Sequence, residues 1–282
     1  MKAVAFDYVR ASSVEDAVDA LGDDNVKVLA GGQSLVPLLN MRLARPAVLV
    51  DINRLAELSY LRRDNGNLVI GALTRHRTVE RSPLVYEDIP LLAEALKYVG
   101  HVSIRNRGTF GGSLAHADPA AELPAVCVAL DASLLVQGHD GVREIAARDF
   151  FLGPHRTALK PSELLISVRV PVPPAETGYS VQELSPRGND LALVGAFAAV
   201  TVESDGTCAQ ARIAVAGAGP TPIRAVAVEQ ALTGQALTDS TIAAAVAELS
   251  VDPPDSIHAP ASYRREMASV LTRRAIRTAV SR

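Results

Sequence analysis

Tryptophan is absent from these 282 residues, and aromatic side chains make up only 4%. Aromatic rings carry the largest apolar payload of any side chain, so the cores here must rest on aliphatic packing. Cysteine is nearly absent too, with only Cys127 and Cys208. Two thiols cannot ligate an iron–sulfur cluster, which takes four. They could pair with each other, but each lies in an apolar run, which favours buried free thiols. Basic charge is not in excess: the net charge is −3 and the pI about 6.1, which leaves no electrostatic footprint for nucleic acid. There is no long uncharged apolar run, so no membrane span is expected. The start, M-K-A-V-A-F-D-Y, lacks the apolar run of a signal peptide, so the expectation is a soluble, cytoplasmic protein. The six histidines are scattered with no H-x-x-x-H spacing. His116 and Asp118 are metal ligands by type, but no metal is expected from that pattern. No internal repeat or low-complexity segment occurs.

Hydrophobic residues make up 48% of the chain, enough for real cores, and the length allows one large or two moderate domains. The most informative stretch is I-R-N-R-G-T-F-G-G-S-L-A-H-A-D-P-A-A-E, from Ile104 to Glu122. Gly111 and Gly112 sit between Thr109 and Ser113, and glycine lets a backbone turn sharply and approach a ligand closely. Consecutive exposed N–H groups in such a turn form an anion-binding concavity, and Thr109 and Ser113 add hydroxyl donors. Asp118-Pro119 then opens an apolar run with the pattern of an N-cap and a first helical residue. Taken alone, this is a glycine-rich turn ahead of a capped helix. A second stretch changes the weighing. The strand pattern V-K-V-L-A, Val26 to Ala30, runs into Gly31-Gly32-Gln33-Ser34. It matches neither the P-loop nor the dinucleotide fingerprint. Two such bends point to a diphosphate held by main-chain N–H groups from two sides.

Together, A-G-G-Q-S-L-V-P-L-L (Ala30 to Leu39) and T-F-G-G-S-L-A-H-A-D-P-A-A-E-L (Thr109 to Leu123) resemble the FAD-binding subunit of molybdenum hydroxylases. The likeness is to the medium subunit of carbon monoxide dehydrogenase-type enzymes and to the flavin domain of xanthine dehydrogenase. It covers nearly the whole chain. It implies an α+β fold: a two-subdomain FAD-binding domain of the vanillyl-alcohol-oxidase/PCMH-like kind, then a C-terminal domain of antiparallel sheet and helices. It also implies electron transfer through FAD within a heterotrimer that can dimerise. A molybdopterin-containing large subunit would oxidise the substrate and a 2Fe-2S small subunit would relay electrons. Substrate contacts would fall in another chain.

The same resemblance assigns cofactor contacts residue by residue. Leu29, Ala30, Gly31, Gly32, Gln33, Ser34, Leu35 and Val36 would wrap the pyrophosphate and ribitol. Thr109, Gly111, Gly112 and Ser113 would do so from the other side, with Asp118 close by. Glu122 stands at an acidic position that contacts the cofactor, where aspartate is common. Leu165 falls near an apolar position that packs on the flavin. Gln182 falls where many relatives carry lysine, which removes a cation. Ser113 replaces a more usual asparagine, and Gln33 a histidine or asparagine. No catalytic side chain is assigned, because the flavin carries the chemistry. Ser113 lacks the G-x-S-x-G setting of a nucleophile.

The local patterns place the domains at 1–175, with subdomains near 1–57 and 58–175, and at 176–282. Pro171, Pro173 and Pro174 form the stiff break between them. Ser13 should cap a helix from Val14 to Leu21. A βαβ unit is expected from Val26 to Ile52, a hairpin at Asn65-Gly66, and helices over Ile89–Val99 and Pro119–Leu130. Strands then helices after Tyr179 suggest an antiparallel sheet covered by helices, with helices over Ile223–Leu232, Thr241–Leu249 and Tyr263–Val280. Arg75, His76, Arg77 and the basic residues between His101 and Arg107 read as a solvated face, with an anion site or partner surface as the other readings. Arg264, Arg265, Arg273 and Arg274 are expected on the solvent side of the last helix. A stand-alone flavoprotein oxidase or reductase of the same fold is the rival enzyme class, and a flavin-free assembly subunit the rival non-enzyme.

Overall fold

The computed structural model describes residues 2–22 and 25–282. The first unit is β1 (Asp7–Arg10), α1 (Val14–Ala20), β2 (Val26–Leu29), α2 (Leu35–Asn40) and β3 (Val48–Asp51). Ser13 caps α1 by accepting from the Asp16 N–H at 3.0 Å. The Asp16 carboxylate reaches back to the Ser12 N–H at 3.2 Å, one residue earlier than a capping box requires. β2 and β3 pair in parallel through their helical crossover, as expected. β1 adds a third parallel strand beside β3, and this one was not foreseen. All four of its residues are exposed, so it shows no alternation to read.

The second unit begins with the hairpin β4 (Leu61–Asp64) and β5 (Asn67–Gly71) around Asn65-Gly66, both at positive φ. Helices α3 (His76–Glu80), α4 (Pro83–Asp88), α5 (Pro90–Ala95), α6 (Val102–Arg107), α7 (Phe110–His116) and α8 (Glu122–Ala129) follow. Then come β6 (Ser133–Gly138), β7 (Gly141–Ala146), α9 (Ala147–Phe150), the small hairpin β8 (Phe151–Gly153) with β9 (Arg156–Thr157), and β10 (Leu164–Pro171). The main sheet runs β4-β5-β10-β6-β7. Two helices are shorter than their patterns suggest. After Ala95 the chain tightens into i→i+3 bonds, Lys97 to Glu94 and Tyr98 to Ala95, before Gly100 turns at φ +47°. α8 begins at Glu122, not Pro119. Asp118 makes a local turn, accepting from the Ala120 N–H at 2.9 Å, so it does not cap that helix.

The third unit is an antiparallel sheet of β11 (Thr177–Leu184), β12 (Val194–Val202), β13 (Cys208–Ala216) and β14 (Ile223–Arg224), with α10 (Val226–Leu232), α11 (Asp239–Val246) and α12 (Ala261–Val280). Residues 223 and 224, expected in a helix, instead pair with β13. The sheet is apolar on both faces. Along β12, Phe197 and Ala199 join a core shared with α5 and α8, while Val194, Ala196, Ala198 and Val200 join a core shared with α10, α11 and α12. Period-two alternation thus lets one strand serve two cores. α8 is buried at all eight positions between these layers. Gly178 is where α12 meets β11: a Cβ there would lie 1.9 Å from the Ala279 carbonyl oxygen. Arg264 corrects an expectation. It is 8% exposed, and its guanidinium donates to Leu193 O at 2.7 Å and Ser256 Oγ at 2.8 Å, tying α12 to the preceding loop. Cys127 and Cys208 are buried and unpaired, with burial pushing the thiols up to about 12 and about 11. No described helix is long and apolar enough to cross a membrane.

Candidate functional site

Leu29 ends β2, and the chain then bends through Ala30, Gly31 and Gly32 into Gln33, Ser34 and α2, which carries Leu35 and Val36. Gly31 presses on the chain before α7: a Cβ would lie 2.4 Å from Arg107 O and 2.8 Å from Gly108 Cα. Gly32 adopts φ +72°, where a side chain is strained. Gln33 folds back, its amide donating to Gly31 O at 3.2 Å. The N–H groups of Gly31, Gly32, Gln33 and Ser34 donate to no described residue. Four adjacent donors without a partner among the described residues are what an anion-binding concavity requires.

The second diglycine is different. Thr109 is the N-cap of α7, and Gly111 and Gly112 lie inside that helix, not in a turn. The N–H of Phe110 donates to Thr74 O, and that of Gly111 to Ala72 O, both at 2.9 Å. Gly112 N–H donates to Thr109 Oγ1 at 3.2 Å, and Ser113 N–H to Thr109 O at 3.1 Å. Three of the four orphan donors of this helix start, those of Phe110, Gly111 and Gly112, are therefore used, and Ser113 makes the first intrahelical bond, so the diglycine itself offers no free main-chain donors. Its glycines permit packing. A Cβ on Gly111 would lie 2.6 Å from the Ala72 Cβ, and one on Gly112 would lie 2.5 Å from Thr109 Oγ1 and 3.8 Å from the Ala30 Cβ. That last contact, with the Gly31–Arg107 contact, puts the two stretches side by side.

A hydrogen-bonded chain locks them. Asn53 Nδ2 donates to Ala30 O and to Asp51 Oδ1, each at 2.7 Å, and Arg75 donates to Asn53 Oδ1 at 2.9 Å. Arg75 also donates to Arg107 O at 2.5 Å, the same carbonyl that Gly31 abuts. Burial and the neighbouring Arg107 hold the Arg75 guanidinium below its ordinary value. Two cations therefore sit beside the open donors. Asn53 and Arg75 were missed as positioning residues, since neither lies in a recognisable motif. The basic stretches form a solvated face only in part: His101 and Arg107 are exposed, but His76 and Arg105 are buried. His76 is 5% exposed, with Nε2 2.8 Å from Thr109 O, and burial pushes it down to about 4. Arg105 is 7% exposed and bonds Glu80 at 3.0 Å.

Further along, Glu122 is 6% exposed at the start of α8, and burial pushes its carboxyl up to about 7. Glu183 on β11 is pushed up to about 8 by burial and then by Glu122, and its Oε2 is buried without a partner. Glu183 was not foreseen; it lies next to Gln182, whose amide reaches Ser180 Oγ at 3.2 Å. Leu165 lies in the core of β10, the strand against which α7 packs, while Ile166 at the adjoining bulge is half-buried. The surface clefts elsewhere, between α11 and α12 and beside the β12–β13 turn, involve none of these residues.

Residues 4–173 match the family described as the FAD binding domain in molybdopterin dehydrogenase. Residues 179–279 match the CO dehydrogenase flavoprotein C-terminal domain. The chain belongs to this family, whose cofactor is FAD. It is 43% identical to the 6-hydroxypseudooxynicotine dehydrogenase complex subunit alpha of Paenarthrobacter nicotinovorans, over 100% of this chain and 97% of that one. It is 37% identical to the carbon monoxide dehydrogenase medium chain of Hydrogenophaga pseudoflava, over 98% of each. Among solved structures, carbon monoxide dehydrogenase from Hydrogenophaga pseudoflava superposes with a TM-score of 0.96 at 37% identity, covering 100% of this chain and 99% of that one. Quinoline 2-oxidoreductase from Pseudomonas putida 86 superposes at 0.94 with 35% identity and the same coverage.

Proposed function

We propose that this chain is the flavoprotein subunit of a cytoplasmic molybdenum hydroxylase. It would receive electrons from a 2Fe-2S small subunit, supplied in turn by a molybdopterin-containing large subunit, and pass them to an external acceptor. The relatives are named as subunits or medium chains of dehydrogenases, which supports an assembly of several chains. The FAD-binding part would span 1–175, and 176–282 would form the C-terminal domain. The observation that carries the reading is the row of unpaired N–H groups from Gly31 to Ser34 beside Arg75 and Arg107.

Those residues fit a flavin dinucleotide. Gly31, Gly32, Gln33 and Ser34 would bind the diphosphate by main-chain donors, with Leu29, Ala30, Leu35 and Val36 shaping the bend. Thr109, Gly111, Gly112 and Ser113 would contribute hydroxyls and a wall without bulky side chains. Asp118 and Glu122 would offer polar contacts, Leu165 an apolar one and Gln182 an amide. Bound there, FAD supplies the two-electron redox chemistry. The raised values of Glu122 and Glu183 mean that the pair retains a proton near neutral pH. Native purification with flavin spectroscopy and metal analysis tests the assignment. A yellow chain that copurifies with a large molybdenum subunit supports it. A flavin-loaded chain that turns over a substrate alone would replace it with the stand-alone reading.

A further inference from the structure

We propose that His116, Asp118 and His155 form a binding site for a divalent transition ion of the Zn²⁺ class. One ligand atom from each lies within 4.8 Å of the other two. Sequence spacing hides this set, because His155 comes 39 positions after His116 and reaches it only through the fold. His116 ends α7, Asp118 follows in the connecting loop, and His155 sits at the tip of the β8–β9 hairpin.

The hydrogen bonds around the cluster already favour ligation. The His155 main-chain N–H donates to Ala117 O at 2.9 Å, which fixes the hairpin tip against the loop. The His155 ring nitrogen Nδ1 lies 3.1 Å from His116 O. A carbonyl can only accept, so Nδ1 is the donor, which in the neutral tautomer leaves Nε2 as the ligating nitrogen. That is the arrangement ligating histidines adopt, with the second nitrogen donating to a carbonyl or carboxylate. The two rings lie 4.6 Å apart, tilted by 39°, so they converge without stacking flat. Asp118 Oδ1 accepts from the Ala120 N–H, and Oδ2 makes no hydrogen bond to a described residue. His155 is exposed and the other two are half-buried, so solvent has a path in.

Two imidazoles and one carboxylate suit a borderline ion, not Mg²⁺ or Ca²⁺, which prefer oxygen donors. Three protein ligands leave a fourth position for water. An ion here would clamp the β8–β9 hairpin to the loop that leads into Glu122. Asp118 is shared with the proposed flavin contacts, whereas His116 and His155 are not, so a variant at His155 separates the metal site from the electron-transfer reading.

The test is calorimetric titration of the purified chain with ZnCl₂, with Co²⁺ as an optical probe and flavin content recorded in parallel. One Zn²⁺ per chain is expected, with Co²⁺ giving the visible bands of a four- or five-coordinate site. His155→Ala should weaken binding at least roughly tenfold, without altering flavin content or metal-free melting. His139→Ala, an exposed histidine elsewhere, should bind like the parent. Equal Zn²⁺ binding by the parent and His155→Ala, no stoichiometric binding, or only a six-coordinate Co²⁺ spectrum would overturn the proposal.

Discussion

At the first diglycine, four consecutive N–H groups, from Gly31 to Ser34, find no acceptor among the described residues. At the second, the four from Phe110 to Ser113 are all taken by Thr74, Ala72 and Thr109. The same dipeptide thus meets two different demands. Gly32 supplies a left-handed φ in a bend whose donors find no acceptor among the described residues, whereas Gly111 and Gly112 supply only the absence of a Cβ. The difference teaches that a Gly-Gly signal reports close backbone approach. Whether a ligand or another strand makes that approach depends on what else competes for the amides.

The contrast can be broken most forcefully at Gly111. Valine there drives a Cβ into the Ala72 backbone, whose Cα and O lie 2.9 Å from it. We expect a loss of about 3 kcal/mol or more in stability, read as a lowered melting temperature along with lost flavin. Because its neighbour Phe110 lies in the core that reaches the C-terminal sheet, the whole chain should destabilise. Selective loss of flavin at unchanged stability would place Gly111 in a ligand cradle instead.

Asn53→Ala comes next. It removes the donor to Ala30 O and the acceptor for Arg75. Leaving these part-buried groups unsatisfied costs about 1 kcal/mol or more, and the two stretches would come unlocked. Denaturant melts of the apo and flavin-loaded forms would give the split, with the larger loss expected in flavin affinity. An unchanged dissociation constant would argue that the lock is irrelevant to the cofactor.

Gly32→Ala sharpens the same comparison. The strain at φ +72°, with a contact of 3.2 Å to Val36 Cγ2, costs about 1 kcal/mol. Flavin affinity should fall while the fold persists, the reverse of the Gly111→Val pattern. Thr109→Ala loses an N-cap bond, for about 1 kcal/mol, and should leave the Gly31–Ser34 donors intact.

A separate effect is in pH. Glu122 and Glu183 have folded values of about 7 and about 8, above the ordinary carboxyl value of 4.5. A raised folded value means that the folded state holds the proton more tightly. Stability is then complete below about 4.5 and is lost as pH rises through about 7 to 8. The apo chain should melt a few degrees lower at the alkaline end. The double variant Glu122→Gln, Glu183→Gln should flatten that slope, and an unchanged slope would move its origin elsewhere.

Much of the architecture was legible in local patterns, for identifiable reasons. Ser13 capped its helix, Asn65-Gly66 turned its hairpin, and the apolar runs at Val26 and Val48 paired in parallel, because each signal is satisfied within a few residues. β1 was not legible, since an exposed four-residue strand carries no burial pattern. Arg264 was misplaced because a long helix with many arginines does not reveal which of them faces a carbonyl across the core boundary. Asp118 looked like a cap because Asp-Pro is a helix-start pattern, but the helix begins three residues after Pro119, at Glu122.

The kind of ligand and the kind of fold are written in the residue order. Two diglycine stretches with flanking hydroxyls carry the family pattern, and local propensity places strands and helices. How amides and titratable groups are used is set by the folded arrangement. A main-chain donor is free or spent according to which carbonyl the fold brings to it, as Ala72 and Thr74 are brought to α7. A carboxyl or imidazole shifts according to what buries it, as Glu183 beside Glu122 and His76 beneath Thr109 demonstrate. Both depend on contacts between residues distant in the chain, which no local pattern encodes.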